Sequence, residues 1–350
     1  MLNMEELIAA ILPLDQEAMA AASAHLDQLT KPPGSLGKLE AIARQLAGIA
    51  GQVLPESGRK AVIVMAGDHG VCEEGVSAFP AEVTPQMVLN FLNGGAAVNV
   101  LARHAGAEVV CVDIGVNADL QQHPGLVSRK VRKGTGNIAR GPAMTLAEAE
   151  QAVAAGVELV DELAAQGVRL LATGEMGIGN TTPSAALLCA LTGLAPAQAV
   201  GRGTGIDETG WLRKIAVVQQ ALEVNAPDAD KLLETLAQVG GLEIAGLVGV
   251  ILGAARNRCL VVIDGFISSA AALVASRIAP LCVPYMLASH LSQEQGHARL
   301  LEAIGLSPML HMDMRLGEGT GAVLAFSLVE AAGKIMREMA TFASAGVSQA

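Results

Sequence analysis

Aromatic side chains are scarce: one Trp, one Tyr and five Phe in 350 residues. So few rings argue against the stacking platforms with which proteins hold single-stranded nucleic acid, and they leave the core to Ala, Val, Leu, Ile and Met. Basic charge is short as well. Lys and Arg number 23 against 34 Asp and Glu, a formal net charge of −11 with a pI near 5.1. That balance disfavours a phosphate-backbone partner, so no nucleic acid is expected, while a local basic pocket for one phosphate stays compatible. Cysteine is limited to Cys72, Cys111, Cys189, Cys259 and Cys282, an odd set without a close pair. Neither a disulfide framework nor a Cys-x-x-Cys metal site fits it, and the five read as reduced core residues of a cytoplasmic protein. Long apolar runs are missing too. The longest uncharged stretch, Met176 to Gly201, is broken by Asn180, Thr181, Thr182, Pro183, Gln198 and several glycines, which rules it out as a membrane span. Glu5, Glu6 and Asp15 stand where a signal peptide needs a basic start and an apolar run, so export by that route is not expected.

What the chain does have is a 51% hydrophobic, 16% charged composition that must bury a large core. At 350 residues it exceeds the roughly 250–300 at which single cores stop growing, so one large unit with an appendage is expected. Apolar residues recur at helical spacing over Leu14–Leu29 and Leu36–Ala50, separated by the helix-breaking Lys31-Pro32-Pro33-Gly34. After Pro55 the texture changes to short apolar runs alternating with Ala-rich helical stretches, the pattern of parallel βαβ units. Six runs read as strands: Ala61–Ala66, Glu108–Val112, Val168–Thr173, Cys259–Ile263, Pro284–Ala288 and Met309–Asp313. The expected fold is α/β, a Rossmann-like, mostly parallel six-stranded sheet flanked by helices. Residues 60–321 would form the catalytic domain, and residues 1–59 with 322–350, including a helix near Ala322–Thr341, a small helical subdomain from both chain ends.

Polar and glycine-rich turns follow these runs: Gly67-Asp68-His69-Gly70, Asp113, Gly174-Glu175, Asp264-Gly265, Ser289-His290 and Arg315-Leu316-Gly317-Glu318. In an open parallel sheet the ligand crevice lies beyond the carboxyl ends of the strands, so the turns should converge on one site. Gly174-Glu175-Met176-Gly177-Ile178-Gly179-Asn180-Thr181-Thr182 follows a strand and opens a helix, which suits an anion held by backbone N–H groups. It is neither the Gly-x-Gly-x-x-Gly dinucleotide motif nor a Walker loop. A plain left-handed turn would explain one such cluster. Two more, Gly201-Arg202-Gly203-Thr204-Gly205 and Gly317-Glu318-Gly319-Thr320-Gly321, favour a ligand site.

Glu318, flanked by glycines and just before an apolar helix, is the first candidate general base, with an exposed helix-capping Glu as the plainer reading. Burial would raise its pKa and a helix N-terminus would lower it; the sequence does not say which wins. Glu175 supplies a second carboxylate on the same rim, suited to a glycosidic carbon where positive charge develops. Asp68-His69 and Ser289-His290 invite a metal or a Ser-His-Asp relay, but no His-x-x-x-His or Gly-x-Ser-x-Gly supports either. They read better as substrate-contacting or structural hydrogen-bond groups, and no metal is expected. Lys214 and Arg315 are each either a phosphate partner or a solvated cation. Met65, Met87, Met176, Met286 and Met314 either line a flat apolar slot or belong to the core.

Taken in order, Lys31-Pro32-Pro33-Gly34-Ser35-Leu36-Gly37-Lys38-Leu39-Glu40, Gly67-Asp68-His69-Gly70-Val71, Glu74-Gly75-Val76-Ser77-Ala78-Phe79-Pro80, the Gly174–Thr182 segment, Asp264-Gly265-Phe266 and Arg315–Gly321 resemble the nicotinate-nucleotide:dimethylbenzimidazole phosphoribosyltransferases. The resemblance spans roughly residues 20–340. It implies transfer of ribose 5-phosphate from nicotinate mononucleotide to dimethylbenzimidazole with inversion at C1′, in assembly of the cobalamin lower ligand, by a homodimer with no cofactor. The family's base falls on Glu318 and a second active-site carboxylate on Glu175. Gly177, Asn180, Thr181, Gly203, Lys214 and Ser289 fall in the phosphate and ribose site. Phe79, Pro80, Gln86, Met87 and Leu316 fall near the flat base. Some members carry Ser at the position of Phe79 and Gln at that of Met87, so this chain has fewer polar contacts there, a change that relaxes selectivity among benzimidazoles and purines. Two other readings stay open on the residues alone: an NAD-type oxidoreductase, and a non-catalytic nucleotide or benzimidazole sensor.

Overall fold

A computed structural model describes residues 3–56, 58–120, 123–203 and 205–348; Thr204 of the Gly201 cluster lies outside them. Helices α1 (Met4–Ala9), α2 (Gln16–Gln28) and α3 (Lys38–Ala50) precede strand β1 (Arg59–Gly67). After β1 come α4 (Val83–Leu92), α5 (Ala97–Ala105), β2 (Glu108–Gly115), β3 (Leu126–Ser128), α6 (Leu146–Ala165) and β4 (Val168–Met176). Five helices separate β4 from β5 (Leu260–Ile263): α7 (Thr181–Thr192), α8 (Pro196–Ala199), α9 (Glu208–Asn225), α10 (Leu232–Val239) and α11 (Leu242–Arg256). Then follow α12 (Phe266–Ile278), β6 (Met286–Ala288), α13 (His297–Ile304), α14 (Thr320–Glu338) and α15 (Phe342–Ala345). The strands form one sheet ordered β3-β2-β1-β4-β5-β6, parallel at every pairing, as the alternating texture predicts.

One expected strand is wrong. Met309–Asp313 makes only a single parallel bridge, His290 to Leu310. Pro308 before it has no N–H, and Asp313 at its end turns left-handed with φ 54°, so a ladder cannot extend in either direction. The sixth strand is instead β3, three residues long and on the sheet edge, too short to stand out as an apolar run. Pro284, expected at the start of a strand, lies in a 3-10 turn over Pro280–Tyr285, and β6 begins at Met286.

The shortage of aromatic rings has a structural counterpart. Helix α11 is buried along nearly its whole length and packs against α6. A Cβ on Gly156 of α6 would fall 2.0 Å from the Gly246 carbonyl oxygen, and one on Gly249 of α11 the same distance from that of Val153. Backbone contact between these helices fills the volume that large side chains would otherwise take up. The amphipathic start of α6 is fixed by a capping box, Thr145 with Glu148. At the other end of the fold, α2 packs on α3 and α14 on both, and the Thr30 N–H donates to the Ala340 carbonyl at 3.0 Å. Helix α14 also lies on β4 and β5, so its first turn is delivered to the carboxyl ends of the central strands.

The chain leaves β1 toward β2 and β3 on one side and returns to β4 on the other. This reversal opens a crevice at the carboxyl ends of β1 and β4, where Met65 pairs with Glu175 and Ala66 with Met176.

Candidate active site

A cleft of about 430 Å³ opens at this reversal, and the end of β4 and the turns after β5 and β6 line it with Glu175, Gly265 and His290. The last approach to α14 adds Arg315, Leu316, Gly317 and Glu318. Glu318 has φ 62° between Gly317 and Gly319, each at 88°, a left-handed run that a non-glycine residue enters only when its surroundings impose it. Those surroundings are specific. Gly174 on β4 lies directly beneath, where a Cβ would be 2.6 Å from the Glu318 carbonyl oxygen. The Glu318 N–H donates to Glu175 Oε1 at 3.4 Å, the Gly319 N–H to Asp264 Oδ2 at 3.1 Å and the Ala322 N–H to Asp264 Oδ1 at 2.9 Å.

The Glu318 side chain is 7% exposed, and its Oε2 is buried without a hydrogen-bond partner. Burial pushes its pKa above the usual carboxylate range; the Val98 backbone N–H pulls the other way and the Asp264 charge adds to the rise. Of the two opposing influences the sequence left open, burial therefore wins. An unpartnered carboxylate oxygen of raised basicity at a cleft wall is a proton acceptor in search of a donor.

Glu175 is also buried. Its Oε2 accepts from Asn180 Nδ2, and burial, reinforced by the charges of Asp264 and Glu243, pushes its pKa up to about 8 despite that hydrogen bond. Near neutral pH it is predominantly the neutral acid. Behind the Gly177 turn, His69 Nε2 meets Glu243 Oε1 at 2.7 Å, both side chains being almost wholly enclosed. Burial opposes protonation of His69, but Glu243 and Asp68 outweigh it and raise the pKa. Asp68 accepts the Asn117 N–H at 2.7 Å. Of the two readings of Asp68-His69, substrate contact or structural hydrogen bonding, these bonds are of the structural kind. Among the described residues, no three His, Cys, Asp or Glu side chains gather to hold a metal ion.

One part of the cleft is polar. Gly177, Asn180 and Thr181 line it from the turn that opens α7, with Gly203, Glu294 and Arg315, and Arg315 Nη1 donates to the Gly203 carbonyl at 3.5 Å. Lys214, from α9, stands one layer behind: it is 1% exposed and its Nζ donates to Thr181 Oγ1 at 2.5 Å. It is thus not the solvated lysine that is the commoner case. Burial lowers its pKa to about 8, against the attraction of Glu294 and Cys72. Ser289 does not reach the cleft. It is fully buried and its Oγ bonds Nδ1 of the neighbouring His290 at 2.9 Å, and it is His290 that lines the cleft.

The other end is apolar and open. Phe79, Val83, Met87 and Leu316 line it, with Phe79 and Leu316 more than half exposed. Pro80 and Gln86 are exposed and outside the lining. Val83 and Met87 are one helical turn apart on α4, whereas Gln86 sits about 100° around from Met87 and faces solvent. Met176 joins the lining, while Met65 and Met286 are core and Met314 is half-buried outside it. Two residues of consequence escaped the sequence reading, Glu243 beneath the Gly177 turn and Glu294, which lines the cleft beside Gly203 and Arg315; Asp264 was placed on the rim, but not as the acceptor for the Glu318 segment. Only Asp264 had a signal, a carboxylate at a strand end followed by Gly.

A family model described as Phosphoribosyltransferase matches residues 11–347. The nicotinate-nucleotide–dimethylbenzimidazole phosphoribosyltransferase of Chloroflexus aggregans is 58% identical over 337 residues, 96% of either chain. The chain belongs to this phosphoribosyltransferase family. The enzyme of the same name from Roseiflexus sp. is 56% identical over 99% of this chain and 98% of the relative. The crystal structure of CobT from Thermus thermophilus is similar with a TM-score of 0.92 at 52% identity, covering 95% of this chain and 100% of that one. As a family member, the chain has its Arg315–Gly321 motif at the cleft wall and its Gly174–Thr182 motif along the floor. Among the described residues, no helix is long and apolar enough to cross a membrane.

Proposed function

We propose that this phosphoribosyltransferase moves ribose 5-phosphate from nicotinate mononucleotide to dimethylbenzimidazole, releasing nicotinate and α-ribazole 5′-phosphate. The observation that carries the chemistry is the unpartnered, buried Oε2 of Glu318 at the wall of a cleft with one polar and one apolar end. In this reading the phosphate lies at the first turn of α7 with Thr181, Gly203 and Arg315, and Lys214 supports it through Thr181. The acceptor ring lies against Phe79, Val83, Met87 and Leu316. One azole nitrogen attacks C1′ as the C1′–N bond to nicotinate breaks, and the electron pair of that bond leaves on the pyridine nitrogen. That ring departs without needing a proton, so no general acid is required. The N–H proton of the azole passes to Glu318, the one base the step requires. Attack opposite the leaving group inverts C1′, and anchoring of the phosphate keeps the two nitrogens in line. Glu175, held by Asn180, sits on the same wall and holds the Glu318 backbone N–H.

The same reading takes residues 1–59 with 322–350 as a helical unit beside the catalytic residues 60–321, supported by the packing of α2, α3 and α14. It also takes the enzyme as a cytoplasmic homodimer. Neither alternative is favoured: an NAD-type oxidoreductase lacks its glycine motif, and a binding-only sensor has no need of the Glu318 geometry. The test is incubation of purified protein with nicotinate mononucleotide and dimethylbenzimidazole, followed by chromatography. Nicotinate and α-ribazole phosphate should appear in equal amounts. Thermal stabilisation by the mononucleotide with no product would replace the transferase with the sensor.

A further inference from the structure

We propose that Asp264 is a positioning residue that clamps the segment carrying Glu318, so that the proton acceptor is aimed before substrate arrives; this rests on the transferase reading above. Asp264 itself is 1% exposed and does not line the cleft. Its backbone is fixed between two strands, because its N–H donates to Thr173 Oγ1 on β4 at 3.1 Å while it directly follows β5. Its two carboxylate oxygens divide the labour. Oδ2 takes the Gly319 N–H and Oδ1 takes the Ala322 N–H, so one rigid group grips the residue after Glu318 and the first turn of α14. An anion is favoured at that helix start, where amides lack intrahelical partners.

The clamp accounts for the left-handed run at residues 317–319. Without it, Glu318 would have every reason to relax out of φ 62°, and the carboxyl would swing with the backbone. Gly174 contributes by absence, leaving room for the Glu318 carbonyl. Asp264 contributes by attraction. Beyond these two N–H donors, the His290 ring lies beside the buried carboxylate, with Nδ1 4.0 Å from Oδ1.

Asp264→Asn separates this role from general stability. An amide has one acceptor oxygen, so one of the two backbone N–H groups would face an NH₂. Wild type, Asp264→Asn, Glu318→Gln and the double variant are assayed for kcat and for KM of the mononucleotide and dimethylbenzimidazole. Asp264→Asn should lower kcat by about 10- to 100-fold, as expected for a misplaced reacting group, with each KM within about threefold. In the Glu318→Gln background the same change should cost less than about twofold, since there is no longer a base to misplace. An unchanged kcat, a parallel rise in KM, or an equal loss in the Glu318→Gln background would overturn the proposal. Hydrogen exchange in the wild-type protein tests the clamp without turnover or a variant that must fold. The Gly319 and Ala322 amides should exchange about 100-fold more slowly than those of exposed Arg315 and Leu316; equal rates would overturn it. A wild type without transferase activity but with protected amides would discard the reaction and keep the clamp.

Discussion

Replacing Glu175 by Gln should make the protein progressively more stable than wild type as pH rises. Glu175 is enclosed, and its pKa is raised from 4.5 to about 8 chiefly by burial. A carboxyl that binds its proton more tightly when folded stabilises the fold fully below pH 4.5, and that stabilisation is lost as pH rises through about 8. Over this window the slope is about 1.4 kcal/mol per pH unit, or about 3–4 kcal/mol between about pH 5 and pH 8. Unfolding entropy near 2.1 cal/mol/K per residue amounts to about 0.7 kcal/mol per degree for a chain of this length, so the difference is about 5 °C in Tm. Gln keeps an oxygen for Asn180 Nδ2 but has nothing to titrate. The weak 3.4 Å bond from the Glu318 N–H is the one contact it disturbs, at a cost of about 1 kcal/mol or less that does not vary with pH. Calorimetry of both proteins at pH 5, 6, 7 and 8 therefore reads the slope of the difference rather than its offset. A Tm difference constant to within about 1 °C over that range would refute the assignment of a neutral, buried Glu175.

Lys214→Ala should raise KM for the mononucleotide by about 10-fold or more and change KM for the base little, because the charged hydrogen bond that holds Thr181 Oγ1 at the polar end of the cleft is worth about 1.5–3 kcal/mol; equal effects on both substrates would remove Lys214 from that role. With its pKa lowered to about 8, wild-type KM for the mononucleotide should climb above pH 8, and a climb that persists in Lys214→Ala would show that another group causes it. Gly174→Ala puts a Cβ where the Glu318 carbonyl oxygen stands 2.6 Å away. Turnover should fall about 100-fold while mononucleotide binding, measured calorimetrically, survives; undiminished turnover would mean that the contact does not set the position of Glu318.

The strand ends were legible because each apolar run stops at a polar or glycine turn, and five of the six expected runs are strands. Glu318 stood out for the same local reason: a carboxylate between glycines after an apolar run is either a helix cap or a functional group, and the sequence alone offered both. Residues whose significance depends on long-range contact were not legible. Glu243 lies in the apolar stretch 242–255 and shows its partner, His69, only once β1 and α11 are packed together. Asp264 reads as a strand-end turn until the first turn of α14, 58 residues later, is laid over it. Gln86 and Pro80 failed in the opposite direction: closeness in sequence to Met87 and Phe79 did not carry them into the cleft lining, for Gln86 because a helix rotates neighbours apart. Edge strand β3 was too short to show a periodicity.

The central claim is that Glu318 accepts the proton released as the acceptor nitrogen bonds to C1′, and turnover by Glu318→Gln at saturating substrates tests it most directly, beside the melting temperature of the same preparation. Gln fits the space and can keep the backbone bonds to Glu175 and Asp264, so Tm should stay within a few degrees while kcat falls by about 100-fold or more. A folded Glu318→Gln enzyme with near-normal kcat would contradict the account and move the base elsewhere in the cleft.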